Sequence, residues 1–219
     1  MPLEEQPVRE KIILAAIRCL EREGLHSVTT RTIAKEAEVN VAAINYYFGT
    51  KEKLMDEALR HAMNNALGDL GEIMAGSEDP SFKLFTVFNL FFTGMIRYPG
   101  LMKAFFYDPF IQKNYTGPFA HRFSIMLNEL HQRLEPLVDE ENKATFKLSI
   151  TQMCASMIFM GLFPNFFQDF FECDLAVPEK QREFIEHLFR HYKMGIEFEN
   201  ILERRGKVAE MVGYFMTNK

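Results

Sequence analysis

Cysteine is scarce in this chain: three residues in 219, Cys19, Cys154 and Cys173, with no CxxC pair. An odd count without close spacing excludes a disulfide framework and a cysteine-rich zinc site, and it suits a reducing compartment. Long apolar runs are lacking as well. The longest, Met153 to Phe163, falls well short of the ~18 residues needed to span a bilayer. No charged-plus-apolar leader opens the chain, so a cytoplasmic protein without membrane contact is expected. Hairpin turns of the Asn-Gly or Asp-Gly type and sustained period-two alternation are missing, which removes most β architectures. There is no glycine-rich phosphate loop, GxSxG elbow, HExxH pair or paired-carboxylate arrangement, so no catalytic residue, cofactor or metal is expected. Excess positive charge is absent too. The net charge is −5, which limits non-specific affinity for nucleic acid without excluding a reader that makes a few well-placed phosphate contacts.

Helical periodicity is present nearly everywhere. Val8, Ile12, Ala16 and Leu20 share one stripe, with Ala15 and Cys19 beside it. Pro7 suits the first turn of that helix and Gly24 its end. Thr29 or Thr30 can cap a second helix running to about Ala37, and Asn40 can cap a third over about 41–47. A fourth helix starts near Lys51 and ends around Gly76, where GSEDPS marks the clearest boundary in the chain. Beyond it, 17 of the 22 phenylalanines lie between Phe82 and Phe171. That bias separates the larger half from the first. Further helices are expected over 81–97, 101–107, 118–135, 139–171, 179–199 and 200–217, with a kink or break at Pro164.

Residues 29–51, TTRTIAKEAEVNVAAINYYFGTK, carry the most specific signal. Two short helices joined by a tight turn need a small residue at their contact, which Ala34 supplies. Ile33, Ala37, Val39 and Ile44 can tie both to the first helix. The second helix of such a pair offers its N-terminal and outer residues to base edges. Those are Val41, Ala42, Ala43, Asn45 and Tyr46. Asn45 can pair with adenine, while alanine and valine can pack on thymine methyls. Arg31 can reach a guanine or a phosphate. Thr29 and Thr30 lie at a helix N-terminus suited to phosphate. Tyr47 and Lys51 add a hydroxyl and a cation. The window 29–53 holds four cations against three carboxylates, so geometry must carry much of the specificity.

This pattern resembles the TetR family of bacterial transcriptional regulators over roughly residues 9–59. The resemblance rests on Arg9, the IILAA run ending at Ala16, Gly24, Val28-Thr29-Thr30, Ile33-Ala34, Ala37, Val39, Tyr46-Tyr47-Phe48, Lys51-Glu52 and Leu54. Three residues depart from the family pattern. Glu38 stands where glycine usually makes the turn. A left-handed backbone costs a side-chain-bearing residue about 1 kcal/mol, so a slightly altered turn is expected. Asn45 replaces a frequent tyrosine, so no other member's operator preference transfers. Thr32 stands where an acidic residue often closes the capping box.

The resemblance implies an all-α protein: a three-helix DNA-binding domain over 1–50, a connecting helix over about 51–76, and a helical effector-binding and dimerisation domain over 51–219. It implies a repressor released from a palindromic double-stranded operator by a small molecule. Phe88, Phe92, Met95, Phe105 and Phe106 could line a mainly apolar cavity together with Phe123, Met126, Met153 and Met157. Taken singly, each is better read as an ordinary core position; it is their collective bias that favours a pocket. Tyr107, Tyr115, Asn165 or Gln168 could add polar contacts. A homodimer is expected because one helix-turn-helix makes too few contacts alone. Its interface is expected on the last long helices, with Phe184, Leu188, His191, Tyr192 and Met194 as candidates. His187 and His191 have the spacing of a zinc pair but no third ligand, so a solvated face or a dimer contact is the better reading. A helical protein-interaction module and an enzyme are the alternatives.

Overall fold

The computed structural model describes residues 5–138, 140–166, 168–172, 174–192, 201 and 203–217. Among them the secondary structure is helical throughout, without a strand. The chain divides into two compact units, one of residues 1–67 and 98–119, the other of 68–97 and 120–219.

The first unit is built on α1 (Glu5–Glu23), α2 (Thr30–Glu36), α3 (Val41–Phe48) and the first part of α4 (Lys51–Ala75). The stripe expected on α1 is its core face: Ile12, Ala15, Ala16, Cys19 and Leu20 are all fully buried. Ile33 and Ala37, Ile44, and Leu54 with Ala58 close on that stripe from the other three helices. Gly24 stops α1 in the left-handed conformation, φ 80°, with its N–H on the Leu20 carbonyl at 2.9 Å. Thr29 caps α2 in a full capping box. Its hydroxyl accepts the Thr32 N–H at 3.1 Å, and the Thr32 hydroxyl accepts the Thr29 N–H at 2.9 Å. A threonine thus does the work of the missing acid. Asn40 caps α3, its side-chain oxygen accepting the Ala43 N–H at 2.7 Å.

Glu38 adopts φ 51°, so the turn takes the left-handed form in which glycine is favoured. The Lys11 ammonium holds its carboxylate at 2.9 Å. Glu38→Gly is expected to raise the melting temperature by about 2–4 °C, because relief of a left-handed side chain outweighs an exposed ion pair. A calorimetric scan showing a lower melting temperature would contradict that balance.

The first unit also takes in α6 (Pro99–Phe105) and α7 (Tyr107–Ile111). Pro99-Gly100, read from the sequence as punctuation, forms the first turn of α6, where proline is favoured. Leu101 and Ala104 join the same core as α1 to α4. The Glu21 carboxylate accepts the Gly100 and Leu101 N–H groups at 3.1 and 2.9 Å. A Cβ on Gly100 would lie 2.5 Å from the Glu21 carbonyl oxygen, so only glycine permits this approach. His26 meets Tyr107 edge-on at 4.6 Å. The unit therefore reaches well beyond the 1–50 segment marked out by sequence, and the division falls within α4 rather than at GSEDPS.

In the second unit α5 (Pro80–Arg97) is central, with an unbroken buried run from Leu84 to Leu90. Around it lie α9 (Glu140–Leu162), α11 (Pro178–Tyr192) and α12 (Arg205–Thr217). Asp79 caps α5 by accepting the Phe82 N–H at 2.9 Å. Arg204 pairs with Glu78 and Asp79, and its guanidinium lies 4.0 Å from the centre of the Phe82 ring. The buried Glu186 carboxylate is held by Arg205, with Nε at 2.6 Å. α8 spans Pro118–Leu134. The expected 139–171 helix breaks rather than kinks. α9 ends at Leu162, two residues before Pro164, and α10 (Gln168–Phe171) is a separate turn. The expected stretch beyond Tyr192, through Met194 to 200, lies outside the described residues.

Candidate nucleic-acid interface

α3 presents Ala42, Asn45 and Tyr46 to solvent at i, i+3 and i+4. Its opposite face buries Ile44 and Phe48. Val41 and Ala43 flank the outer face, half-buried against the core. Tyr46 is 72% exposed and meets Tyr47 edge-on at 5.0 Å. Tyr47 in turn leans on Phe48, whose ring lies under the Arg9 guanidinium at 5.1 Å. Arg9 also pairs with Glu57, so one arginine fixes the end of α3 against α4. Asn45 is exposed, and its side chain makes no hydrogen bond among the described residues. It is thus available for a base edge.

On α2, Thr29 is committed to its cap, while Thr30 is half-buried and Arg31 exposed. The Thr50 hydroxyl accepts the Lys53 N–H at 3.2 Å and opens α4 beside half-buried Lys51. Two cations were counted in the charge balance of 29–53 but given no role there. Lys35 is exposed one turn along α2 from Arg31, and Lys53 is exposed next to Lys51. The i, i+4 spacing of Arg31 and Lys35 was the available signal. Arg31, Lys35 and Lys53 enter no ion pair among the described residues.

The carboxylates of this region are occupied. Glu36 takes the Arg18 Nε at 2.8 Å and an Arg22 nitrogen at 3.2 Å. Hydrogen bonds from Arg18 and then Arg22 hold its carboxyl below the usual glutamate range, and the Lys11 hydrogen bond does the same for Glu38. Both pKa values fall on folding. Whatever these pairs contribute is therefore present above the ordinary glutamate pKa and is lost as acid protonates the folded carboxyls.

The residues singled out for an effector cavity fall into two groups. Phe105 and Phe106 lie in the first unit, packed on Phe119 at 5.0 and 4.8 Å. Phe88, Phe92, Met95, Phe123, Met126, Met153 and Met157 lie in the second, all buried except half-buried Phe123. Among the interface candidates, Leu188 is buried and Phe184 stacks on Phe92 at 4.9 Å. Leu188 therefore serves its own unit's core, while Phe184 is half-buried. His191 is exposed and meets half-buried Tyr192 edge-on at 4.9 Å, and Met194 lies outside the described residues. His187 is exposed, and no group of three metal-binding side chains converges among the described residues.

Burial raises the Cys19 thiol and pushes the Cys154 thiol up to about 12. Thiolate is the reactive form. Treatment of the native protein with iodoacetamide at about pH 8 is therefore expected to leave both unmodified. Peptide mass spectrometry before and after denaturation checks this, and rapid native labelling at either site would refute it.

Two short capped helices packed on one another, the second with Ala42, Asn45 and Tyr46 exposed on its outer face, are the arrangement of a helix-turn-helix. Residues 12–58 match the family model described as bacterial regulatory proteins, tetR family. The chain is 34% identical over 88 residues to the nicotine-responsive transcriptional repressor HdnoR of Paenarthrobacter nicotinovorans, covering 40% of this chain and 45% of that protein. It is 31% identical over 150 residues to the transcriptional regulator BetI of Agrobacterium fabrum, covering 68% of this chain and 66% of that one. The matches thus span from under half to about two thirds of these relatives' lengths. A TetR-family structure from Streptomyces coelicolor superposes with a TM-score of 0.54 at 21% identity, covering 83% of this chain and 97% of that one. A putative TetR-family regulator from Rhodococcus gives 0.61 at 13% identity, covering 85% and 98%. The chain belongs to the TetR family of bacterial regulatory proteins.

Proposed function

We propose that this protein is a dimeric DNA-binding transcriptional repressor, released from a palindromic operator by a mainly apolar or aromatic small molecule. The observation that carries the reading is the outer face of α3. Ala42, Asn45 and Tyr46 stand exposed on it, and Arg31 and Lys35 on α2 and Lys53 on α4 are exposed cations with no ion-pair partners among the described residues. Asn45 and Ala42 read bases, while Thr30, Arg31, Tyr47 and Lys51 hold the backbone. A two-fold dimer sets two such heads on successive major grooves. Its interface lies on the outer surfaces of α9 and α11, where His191 and Tyr192 stand and where Leu148 and Phe159 are exposed large apolar residues. The buried phenylalanines and methionines around α5 favour an apolar effector, and a nicotine-responsive relative supports a small-molecule trigger. A coupling of about 1–3 kcal/mol between effector and operator is enough for release. The named relatives are regulators, which supports a role without catalysis. The reading places the protein in the cytoplasm. No helix among the described residues is long and apolar enough to cross a membrane.

Selection of duplexes from a random library by the full-length protein tests the reading. An inverted repeat should be enriched and then bound with steep salt dependence between about 50 and 200 mM. Enrichment of no sequence over the starting pool would sink it.

A further inference from the structure

By formal count the segment 29–53 has four cations and three carboxylates, a nearly neutral strip to set against DNA. The folded chain distributes those charges differently. Glu36 is shared by Arg18 and Arg22, Arg22 also holds Glu23 at 2.9 Å, and Lys11 holds Glu38 at 2.9 Å. Three cations of α1 thus balance three carboxylates in groups that close on themselves. Only Glu52 remains among the acids of the segment, and its carboxyl is drawn to its own backbone N–H and to Thr50. Arg31, Lys35, Lys51 and Lys53 keep their charge for the outside.

We propose that Lys11, Arg18 and Arg22 are positioning residues for DNA binding: they tie down the carboxylates of Glu36 and Glu38, so that the reading head meets phosphate with four cations opposed by Glu52 alone. The inference rests on the DNA-reading function proposed above. Its force is greatest at Glu38, which lies two residues before the Asn40 cap of α3, the helix start that enters the groove in a helix-turn-helix. Glu38 is 81% exposed and Lys11 46%, so the pair adds little to folding. Unpairing it changes the local field more than the fold. A freed carboxylate within a Debye length of the phosphates repels them, and it does so less as salt rises.

The experiment titrates full-length wild type, Lys11→Gln, Glu38→Gln and the double variant against a fluorescent duplex of mixed sequence, over about 50–300 mM KCl. Lys11→Gln is expected to weaken binding about three- to tenfold at the lowest salt, with the gap closing at the highest. Glu38→Gln is expected to bind at least as tightly as wild type. The double variant should return to within about twofold of wild type with an unchanged salt slope. A double variant that stays weak, with a slope lower by about 0.9, would make Lys11 itself a phosphate contact and overturn the proposal. Lys11→Gln binding like wild type, or Glu38→Gln binding worse, would overturn it as well. If wild type binds no duplex at all, the DNA-reading function fails; if wild type binds and the variants misbehave, only this inference does.

Discussion

Asn45→Ala is expected to flatten sequence preference at one base pair of each half-site, while binding to unrelated DNA changes little. The Asn45 side chain is exposed, lies on the outer face of α3 and is engaged by no hydrogen bond among the described residues, so its amide is free to pair with adenine N6 and N7. Such a bidentate contact is worth about 1–3 kcal/mol of discrimination, roughly five- to 150-fold against the wrong base. Lys51→Ala should behave differently. Its ammonium sits at the start of α4 and reads charge, not sequence, so affinity should fall for every duplex alike and the salt slope should shrink by about 0.9. Binding to single-base variants of a selected operator separates the two. If both substitutions lower all affinities in parallel, the division between base reading and backbone holding is wrong.

Gly100→Ala is expected to be the most damaging small substitution in the first unit. The added methyl would lie 2.5 Å from the Glu21 carbonyl oxygen and 2.7 Å from its Cα. Those are backbone atoms and cannot rotate away. Either α6 or α1 must move, and the Glu21 carboxylate then loses its grip on the Gly100 and Leu101 N–H groups. Overpacking of this kind costs about 1–3 kcal/mol, a fall of about 3–10 °C in melting temperature. Thermal melts followed by circular dichroism measure it. Glu21→Gln, which removes charge but keeps an acceptor, should cost less. An unchanged melt for Gly100→Ala would mean that this contact is looser than its geometry states.

The reading head was legible because its signals are local. The α1 stripe, the Thr29 and Asn40 caps and the Gly24 stop each depend on residues within a turn of one another, and all stand where the spacing placed them. What escaped was non-local. Nothing in the sequence around Pro99-Gly100 says that α6 packs on α1, since the partner, Glu21, lies 79 residues away. The ion pairs of Glu36 and Glu38 reach back 18 and 27 residues to α1, so counting charge in a window understated the positive face. In the second unit the Phe-rich periodicity was readable, yet it could not separate Leu188, turned into its own core, from a residue facing outward. Interface and cavity both depend on which side of a helix is left uncovered, and a helix apolar over most of its surface, as α5 is, does not declare that.

The return of residues 98–119 to the first unit bears on how such a protein can be taken apart. A fragment ending after α4 would leave the surface covered by Leu101 and Ala104 open to water and Glu21 without its two donors. The N-terminal segment is therefore no portable cassette. A chimera that grafts α1 to α4 onto another protein must carry α6 and α7 with it, or rebuild their contacts in the host's own sequence.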